Sequence, residues 1–295
     1  MGIKILCIVG PTASGKSSRA VEEALKRDGE IISVDSRQVY RGLDIGTEKI
    51  TREEMRGVPH HLIDIRNPDE SYSAGDFVAD ATCLIKEISA RGKLPILVGG
   101  THFYFDALLK GVPPVPPNEK LRERLEALSN EQLLEQVSLR DPERAGELDP
   151  KNRRRLIRAL EIIASLGAVP PRYQKNVPIG TNRGYVVEWI VIDHRPEGAP
   201  SGREELRTRI DARLKAAFAR GLIDEVHRVR GEVGDARLNE LGLEYRIVGE
   251  HLRAGGAERS EVLLPALSAK LWQYARHQKA WLRKLQTEIM AYSSI

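Results

Sequence analysis

The sequence predicts an α/β fold, a parallel sheet flanked by helices with an all-helical insertion domain, and three observations carry that prediction. Three short apolar runs lie early in the chain with little polar alternation, the pattern of strands covered on both faces. Stretches of helical periodicity separate and follow them. At position 111 the composition turns proline-rich and then polar and helix-forming.

The first strand is Lys4–Val9, and the chain runs from it straight into a glycine-rich motif, so Met1–Gly10 reads as core and not as a cleaved signal. A helix follows over Ser17–Lys26 and ends near Gly29. The second strand is Glu30–Asp35. A helix from Ala74 to Arg91 leads to the third, Leu94–Gly99, and another covers Tyr104–Leu109. Gly111-Val-Pro-Pro-Val-Pro-Pro117 is a stiff linker that no helix continues through. Beyond it, Asn118–Leu139 reads as helix with a break near Ser129-Asn130. Asp141-Pro142 and Asp149-Pro150 each place an acidic cap before a proline at a first helical position, and the second opens a helix reaching Leu166 and closed by Gly167. This helical block spans Val112–Gln174. Tyr185–Asp193 is apolar and β-branched and returns the chain to the sheet. Ser201 with Glu204 forms a capping-box pattern before a helix over Gly202–Arg220. Gly221 ends it, Leu222–Val229 is helical again, and the last long helix runs Leu264–Met290 with a basic polar side. The expected division is residues 1–111 and 185–295 for the core and 112–184 for the insertion.

At 295 residues and 41% hydrophobic content, the chain can bury a sizeable core and is far from disorder. No apolar run approaches the roughly 20 residues that span a bilayer, so no membrane partner is expected. The net charge of +4 is too diffuse to argue a nucleic-acid partner by itself. Cys7 and Cys83 read as small buried thiols in a reducing compartment, with no framework for a disulfide or a metal. A cytoplasmic monomer is the expectation. Adjacent His60 and His61 point in different directions and support no metal site.

Chemistry enters at Gly10-Pro11-Thr12-Ala13-Ser14-Gly15-Lys16-Ser17, a G-x4-G-K-[S/T] phosphate loop between a strand and a helix, which makes the fold P-loop NTPase-like. Its backbone N–H groups converge on phosphate oxygens, and the helix N-terminus adds partial positive charge. Lys16 neutralises the terminal phosphate, and the Ser17 hydroxyl is placed to reach Mg2+. ATP is the default ligand of such a loop. A motor would also need a metal-binding acid ending an apolar strand. Ile190-Val-Ile-Asp193 has that form beyond the insertion, beside His194 and Arg195, whereas the third strand ends in Gly99-Gly100-Thr101 without an acid. A kinase reading therefore survives better than a motor.

Asp35 should sit at the carboxyl end of the second strand, on the edge where the phosphate loop opens and where ligands bind in open α/β sheets. A carboxylate there can orient a nucleophile, accept its proton or hold Mg2+ through water. Ser36, Arg37 and Gln38 share its loop, and glutamine can read an adenine edge. Thr101 occupies the matching place after the third strand. Lys151-Asn-Arg-Arg-Arg155 with Arg158 puts five cations at a helix start, where the dipole disfavours them, and a partner supplying phosphates would explain that. Arg209 and Arg213 share one helix face and either can reach phosphates. The last helix mixes Lys270, Arg276, His277, Lys279, Arg283 and Lys284 with Trp272, Tyr274 and Trp281.

Taken together, these stretches resemble the tRNA dimethylallyltransferase family, also called tRNA isopentenyltransferase or IPP transferase. The resemblance rests on GPTASGKS at Gly10–Ser17, DSRQVYRGLDIGT at Asp35–Thr47, VPHHLIDI at Val58–Ile65, YSAGDF at Tyr72–Phe77 and PILVGGT at Pro95–Thr101. It continues through DPERA at Asp141–Ala145, RRLIRALE at Arg154–Glu161, GLIDEV at Gly221–Val226 and QYARHQ at Gln273–Gln278. It implies transfer of the dimethylallyl group from dimethylallyl diphosphate to N6 of the adenosine 3′-adjacent to the anticodon (position 37) of tRNA, with Mg2+ assisting and diphosphate leaving. Under that resemblance the phosphate loop holds a prenyl diphosphate, Asp35 is the general base, Thr101 contacts the reacting site and Gln38 lies in the loop meeting the base. Lys16 and one of Arg209 and Arg213 bind diphosphate, and Arg154, Arg155 and Arg158 contact tRNA. The sequence departs from the usual pattern at His102, where glycine is common, at Leu271-Trp272, and in Leu241-Gly-Leu-Glu-Tyr-Arg246.

Overall fold

In a computed structural model the described residues are 2–113, 115–170, 179–192, 202–256 and 260–293. Among them are five strands: β1 Ile3–Val9, β2 Gly29–Val34, β3 His60–His61, β4 Leu94–Gly99 and β5 Tyr185–Val191. The helices are α1 Lys16–Arg27, α2 Arg52–Met55, α3 Ala74–Ala90, α4 His102–Lys110, α5 Glu119–Glu126, α6 Asn130–Arg140, α7 Pro142–Glu147 and α8 Arg153–Leu166. They continue as α9 Gly202–Ala219, α10 Leu222–Leu238, α11 Leu243–Arg253 and α12 Ser260–Ser293. All strand pairs are parallel, in the order β3-β2-β4-β1-β5. Asp193, His194 and Arg195, the Ser201 half of the expected capping box and the end of the helical block at Gln174 lie outside the described residues.

The chain divides into two compact units, residues 1–110 with 177–295, and residues 111–176. The core unit thus includes residues ahead of the expected 185, among them the 3-10 turn Thr181–Arg183, directly after which Gly184 O accepts the Ile3 N–H of β1 at 2.8 Å.

The sheet of the core unit is apolar on both faces, as parallel strands require. Leu6, Ile8, Ile31, Ile96 and Val98 pack with Ala20, Val21 and Ala24 of α1 on one side. Ile5, Cys7, Val9, Ile32, Val34 and Leu97 face the other, where Phe77, Ile85, Phe105, Leu108, Ile210 and Leu267 cover them. Ser73 caps α3 with a full capping box through Asp76, which fixes where that helix starts. Cys7 is buried, but Cys83 is exposed, against expectation. The inward stripe of α3 is Phe77, Ala81, Ile85 and Ile88, and position 83 falls on its outer face, where the thiol meets Glu87 at 3.1 Å.

The helical unit closes on Leu125, Leu133, Val137, Leu148, Leu156, Leu160 and Ile163. Asp141 caps α7, its carboxylate accepting from Arg144 N at 3.0 Å. Asp149 does not cap a helix beginning at Pro150. It accepts from Lys151 N, and α8 begins three residues later under Asn152, whose side chain takes the Arg155 N–H. The asparagine places the first turn so that Leu156, Ile157 and Leu160 face inward. Among the described residues four elements were not foreseen: α2, α11, the 3-10 turn Thr181–Arg183 and the two-residue β3, where His61 bonds Glu30 at 2.7 Å.

Candidate active site

Parallel strands all release the chain at the same edge, so β1, β2 and β4 deliver residues 10–15, Asp35 and Gly100-Thr101 to one place. Approach there is close. A Cβ on Gly99 would sit 2.0 Å from Val34 O, so only glycine fits where β4 leaves the sheet. Thr101 then donates its N–H to Val34 O at 3.2 Å, and its hydroxyl accepts the Ser36 N–H at 3.1 Å. Asp35 and Thr101 are thereby locked side by side. The Asp35 carboxylate is itself oriented, because Oδ1 accepts from Arg37 N at 2.8 Å and Gln38 N at 3.2 Å.

The phosphate loop turns through left-handed backbone at Ala13 and Gly15 before α1 begins at Lys16. Lys16 folds back over it, donating to Pro11 O at 2.7 Å. Burial, with Arg213 nearby, pulls this ammonium down to about 8, against the opposing pull of Asp35. Of the two arginines that spacing left open, Arg213 reaches the loop, donating to Thr12 Oγ1, and also faces Glu48 at 3.4 Å and Glu244 at 4.0 Å. Arg209 instead pairs with Glu205 on its own helix at 2.7 Å. Burial raises Glu244, with Arg213 holding it down in part. Ser17 is exposed at the start of α1, whose first turn carries no acid.

Gln38 is occupied by its own loop. Its amide N–H groups go to Thr47 O and Glu48 O, both at 3.2 Å, and its carbonyl accepts from Ser33 Oγ. The basic cluster on α8 also divides. Arg153 bonds Glu126, Asn130 and backbone carbonyls of α5, while Arg158 bonds Glu161 and Val115 O. Arg154 and Arg155 are exposed.

Four site groups had no role in the sequence reading: Gln278, Glu225, Glu48 and Glu244. Gln278, only 2% exposed, accepts the Thr12 N–H and donates to Gly100 O, joining the phosphate loop to the Thr101 loop. Tyr274, one turn earlier, points its hydroxyl at the same carbonyl at 3.5 Å. Glu225 accepts the N–H groups of Asp44, Ile45 and Gly46 at 2.8–2.9 Å and the Tyr245 hydroxyl at 2.6 Å. It thus fixes the loop that carries Glu48 to Arg213. A sequence signal existed for both. Gln278 breaks the stripe Leu271, Ala275, Leu282, Leu285, and Glu225 sits beside Leu222, Val226 and Val229, so each is a polar group at a buried helical position.

Comparison with known proteins identifies the family. The family described as IPP transferase matches residues 38–285. A tRNA dimethylallyltransferase of Thermomicrobium roseum is 42% identical over 291 residues, covering 96% of this chain and 84% of that protein. One from Roseiflexus is 41% identical over 294 residues, covering 96% and 91%. The crystal structure of the full-length tRNA isopentenylpyrophosphate transferase of Bacillus halodurans superposes with a TM-score of 0.65 at 38% identity, covering 95% of this chain and 87% of that one. A eukaryotic dimethylallyltransferase solved acting on tRNA gives 0.75 at 25% identity, covering 95% and 69%. A phosphate loop joined to an acid and a threonine at neighbouring strand ends, matched along nearly its whole length to these enzymes, makes the chain a member of the IPP transferase family.

Proposed function

We propose that this chain transfers the dimethylallyl group from dimethylallyl diphosphate to N6 of the adenosine 3′-adjacent to the anticodon, position 37, in tRNA. The observation that carries the reading is the junction of Asp35 and Thr101 with a phosphate loop flanked by Lys16 and Arg213. The bond between the allylic carbon and diphosphate oxygen breaks, its electron pair leaving with diphosphate, while N6 bonds to that carbon. Asp35 takes the N6 proton, and the backbone bonds on Oδ1 hold the carboxylate still while it does so. Lys16 and Arg213 stabilise the charge gathering on the leaving group. Alignment carries much of the rate, since an exocyclic amine is a poor nucleophile. The target base must also leave its stack to reach these strand ends.

The residues fit Mg2+. Among the described residues no cluster of three His, Cys, Asp or Glu side chains could cage a metal. Ser17 is exposed at the start of α1, next to the loop, and Mg2+ suits one protein hydroxyl supplemented by diphosphate oxygens and waters. When bound, it supplies neutralisation of diphosphate charge. Exposed Arg154 and Arg155 support a tRNA phosphate contact on the helical unit. Arg158, committed to Glu161 and Val115 O, instead braces α8. No helix among the described residues is long and apolar enough to cross a membrane.

Incubation with dimethylallyl diphosphate and unmodified tRNA, followed by mass spectrometry of the nucleosides, tests the reading. Appearance of N6-dimethylallyladenosine at position 37 is the expected result. Transfer of phosphate from ATP with no prenylated nucleoside would favour the kinase reading instead.

A further inference from the structure

His102 opens α4 directly after Thr101, and its N–H donates to Gly100 O at 3.1 Å, the carbonyl that Gln278 also holds. Its imidazole lies flat on Trp281, ring centres 4.2 Å apart and planes within 4° of parallel. The indole is pinned in turn, with Trp281 Nε1 donating to Asp106 Oδ2 at 3.1 Å. Lys110 ties Asp106 to Glu288 at 2.9 Å on each side. The ring is therefore fixed by a relay joining α4 to α12. Yet its Nε2 is buried and meets no hydrogen-bond partner among the described residues. Native proteins seldom leave a buried polar atom so placed unless a ligand or solvent completes it.

Resting on the function proposed above, we infer that His102 is a further donor-binding residue, whose Nε2–H donates to a diphosphate oxygen of dimethylallyl diphosphate. Its surroundings select an anion over the adenine. Burial and the charge of Lys16 pull the imidazole down to about 4, with Asp106 opposing, so the ring is neutral at pH 7. A neutral N–H beside Lys16 adds a bond to the anion without like-charge repulsion against the lysine. Trp281 holds the plane, so little side-chain entropy is lost when the bond forms. His102 stands where the family resemblance expects glycine.

Two variants of the full chain test this. His102→Phe keeps the stack on Trp281 and removes the nitrogen, whereas His102→Gln returns an amide N–H at nearly the same reach. Calorimetric titration with inorganic diphosphate and Mg2+, then with dimethylallyl diphosphate, is expected to show both ligands weakened about 10-fold by phenylalanine. Glutamine should recover most of that loss, and tRNA affinity should stay unchanged throughout. Wild-type diphosphate affinity in His102→Phe overturns the inference and assigns the ring to packing. Weakening confined to the prenylated ligand also overturns it, since the ring then touches the alkyl group. Failure of the functional reading would appear separately, as a wild-type chain that binds neither diphosphate ligand and prenylates no tRNA.

Discussion

Gln278 and Thr12 are 266 positions apart, and the side-chain carbonyl of the first accepts the backbone N–H of the second at 2.8 Å. The same amide donates to Gly100 O at 3.1 Å. Gln278→Leu removes both bonds and leaves a loop N–H and a carbonyl without that partner, at a cost of about 1–3 kcal/mol in stability. We expect a lower urea midpoint together with a raised KM for dimethylallyl diphosphate. A variant with lowered stability and an unchanged KM would detach Gln278 from the phosphate loop's function.

Lys16 should make donor binding depend on pH. The anion calls for the ammonium, and in the free chain that group titrates at about 8, so diphosphate affinity should fall as pH rises through 8. Stability moves the other way. Between pH 8 and 10.5 the unfolded chain still holds the Lys16 proton that the folded chain has released, so this residue's contribution to stability rises with pH across that window. In Lys16→Met both dependences should vanish. Calorimetry and chemical denaturation, each run against pH for the two proteins, provide the comparison, and identical curves would remove Lys16 from the site.

Asp35→Asn and the double change Arg154→Ala, Arg155→Ala should fail in different ways. Asparagine keeps the acceptor for Arg37 N and Gln38 N but cannot take the N6 proton. Single-turnover rate should drop by about 10²–10⁴-fold with tRNA binding retained. The arginine pair should weaken tRNA binding and flatten its salt dependence, the log–log slope falling by up to about 1.4 for single-stranded contacts. Rate at saturating tRNA should change little. The reverse assignment of binding and rate defects would contradict both roles.

Glu225→Gln exchanges one of two carboxylate oxygens for an amide, facing donors from Asp44, Ile45, Gly46 and Tyr245. A loss of about 2 kcal/mol is expected, while Tyr245→Phe should lose about 1 kcal/mol. Because Glu48 rides on that loop to Arg213 at 3.4 Å, Glu225→Gln should also weaken diphosphate binding. Equal diphosphate affinity in both proteins would limit Glu225 to a structural part.

The local half of this site was legible in the sequence. A glycine-rich turn between strand and helix, and acid or threonine just past an apolar run, are patterns written within a dozen residues, and the structure brings Lys16, Asp35 and Thr101 to one edge. The strand order was not, because nothing local says that β4 inserts between β2 and β1. Spacing could not separate Arg209 from Arg213, which differ only in what lies opposite their helix. Arg158 resembled its neighbours until Glu161 and Val115 O claimed it. Gln278 and Glu225 act across more than 170 positions, and only their polarity inside buried stripes hinted at a task.

Synthesis runs from the N-terminus, and the sheet is not assembled in that order. β1 finds its β4 neighbour early, but its other edge stays open until Tyr185–Val191 has been made, after the whole helical unit. The helix bearing Gln278 comes later still. A nascent chain halted after Arg253 already carries the complete phosphate motif and lacks the amide that fastens Thr12 to Gly100. Until Tyr185–Val191 has been made, the growing polypeptide therefore exposes an unpaired apolar strand edge, a surface prone to association with other chains.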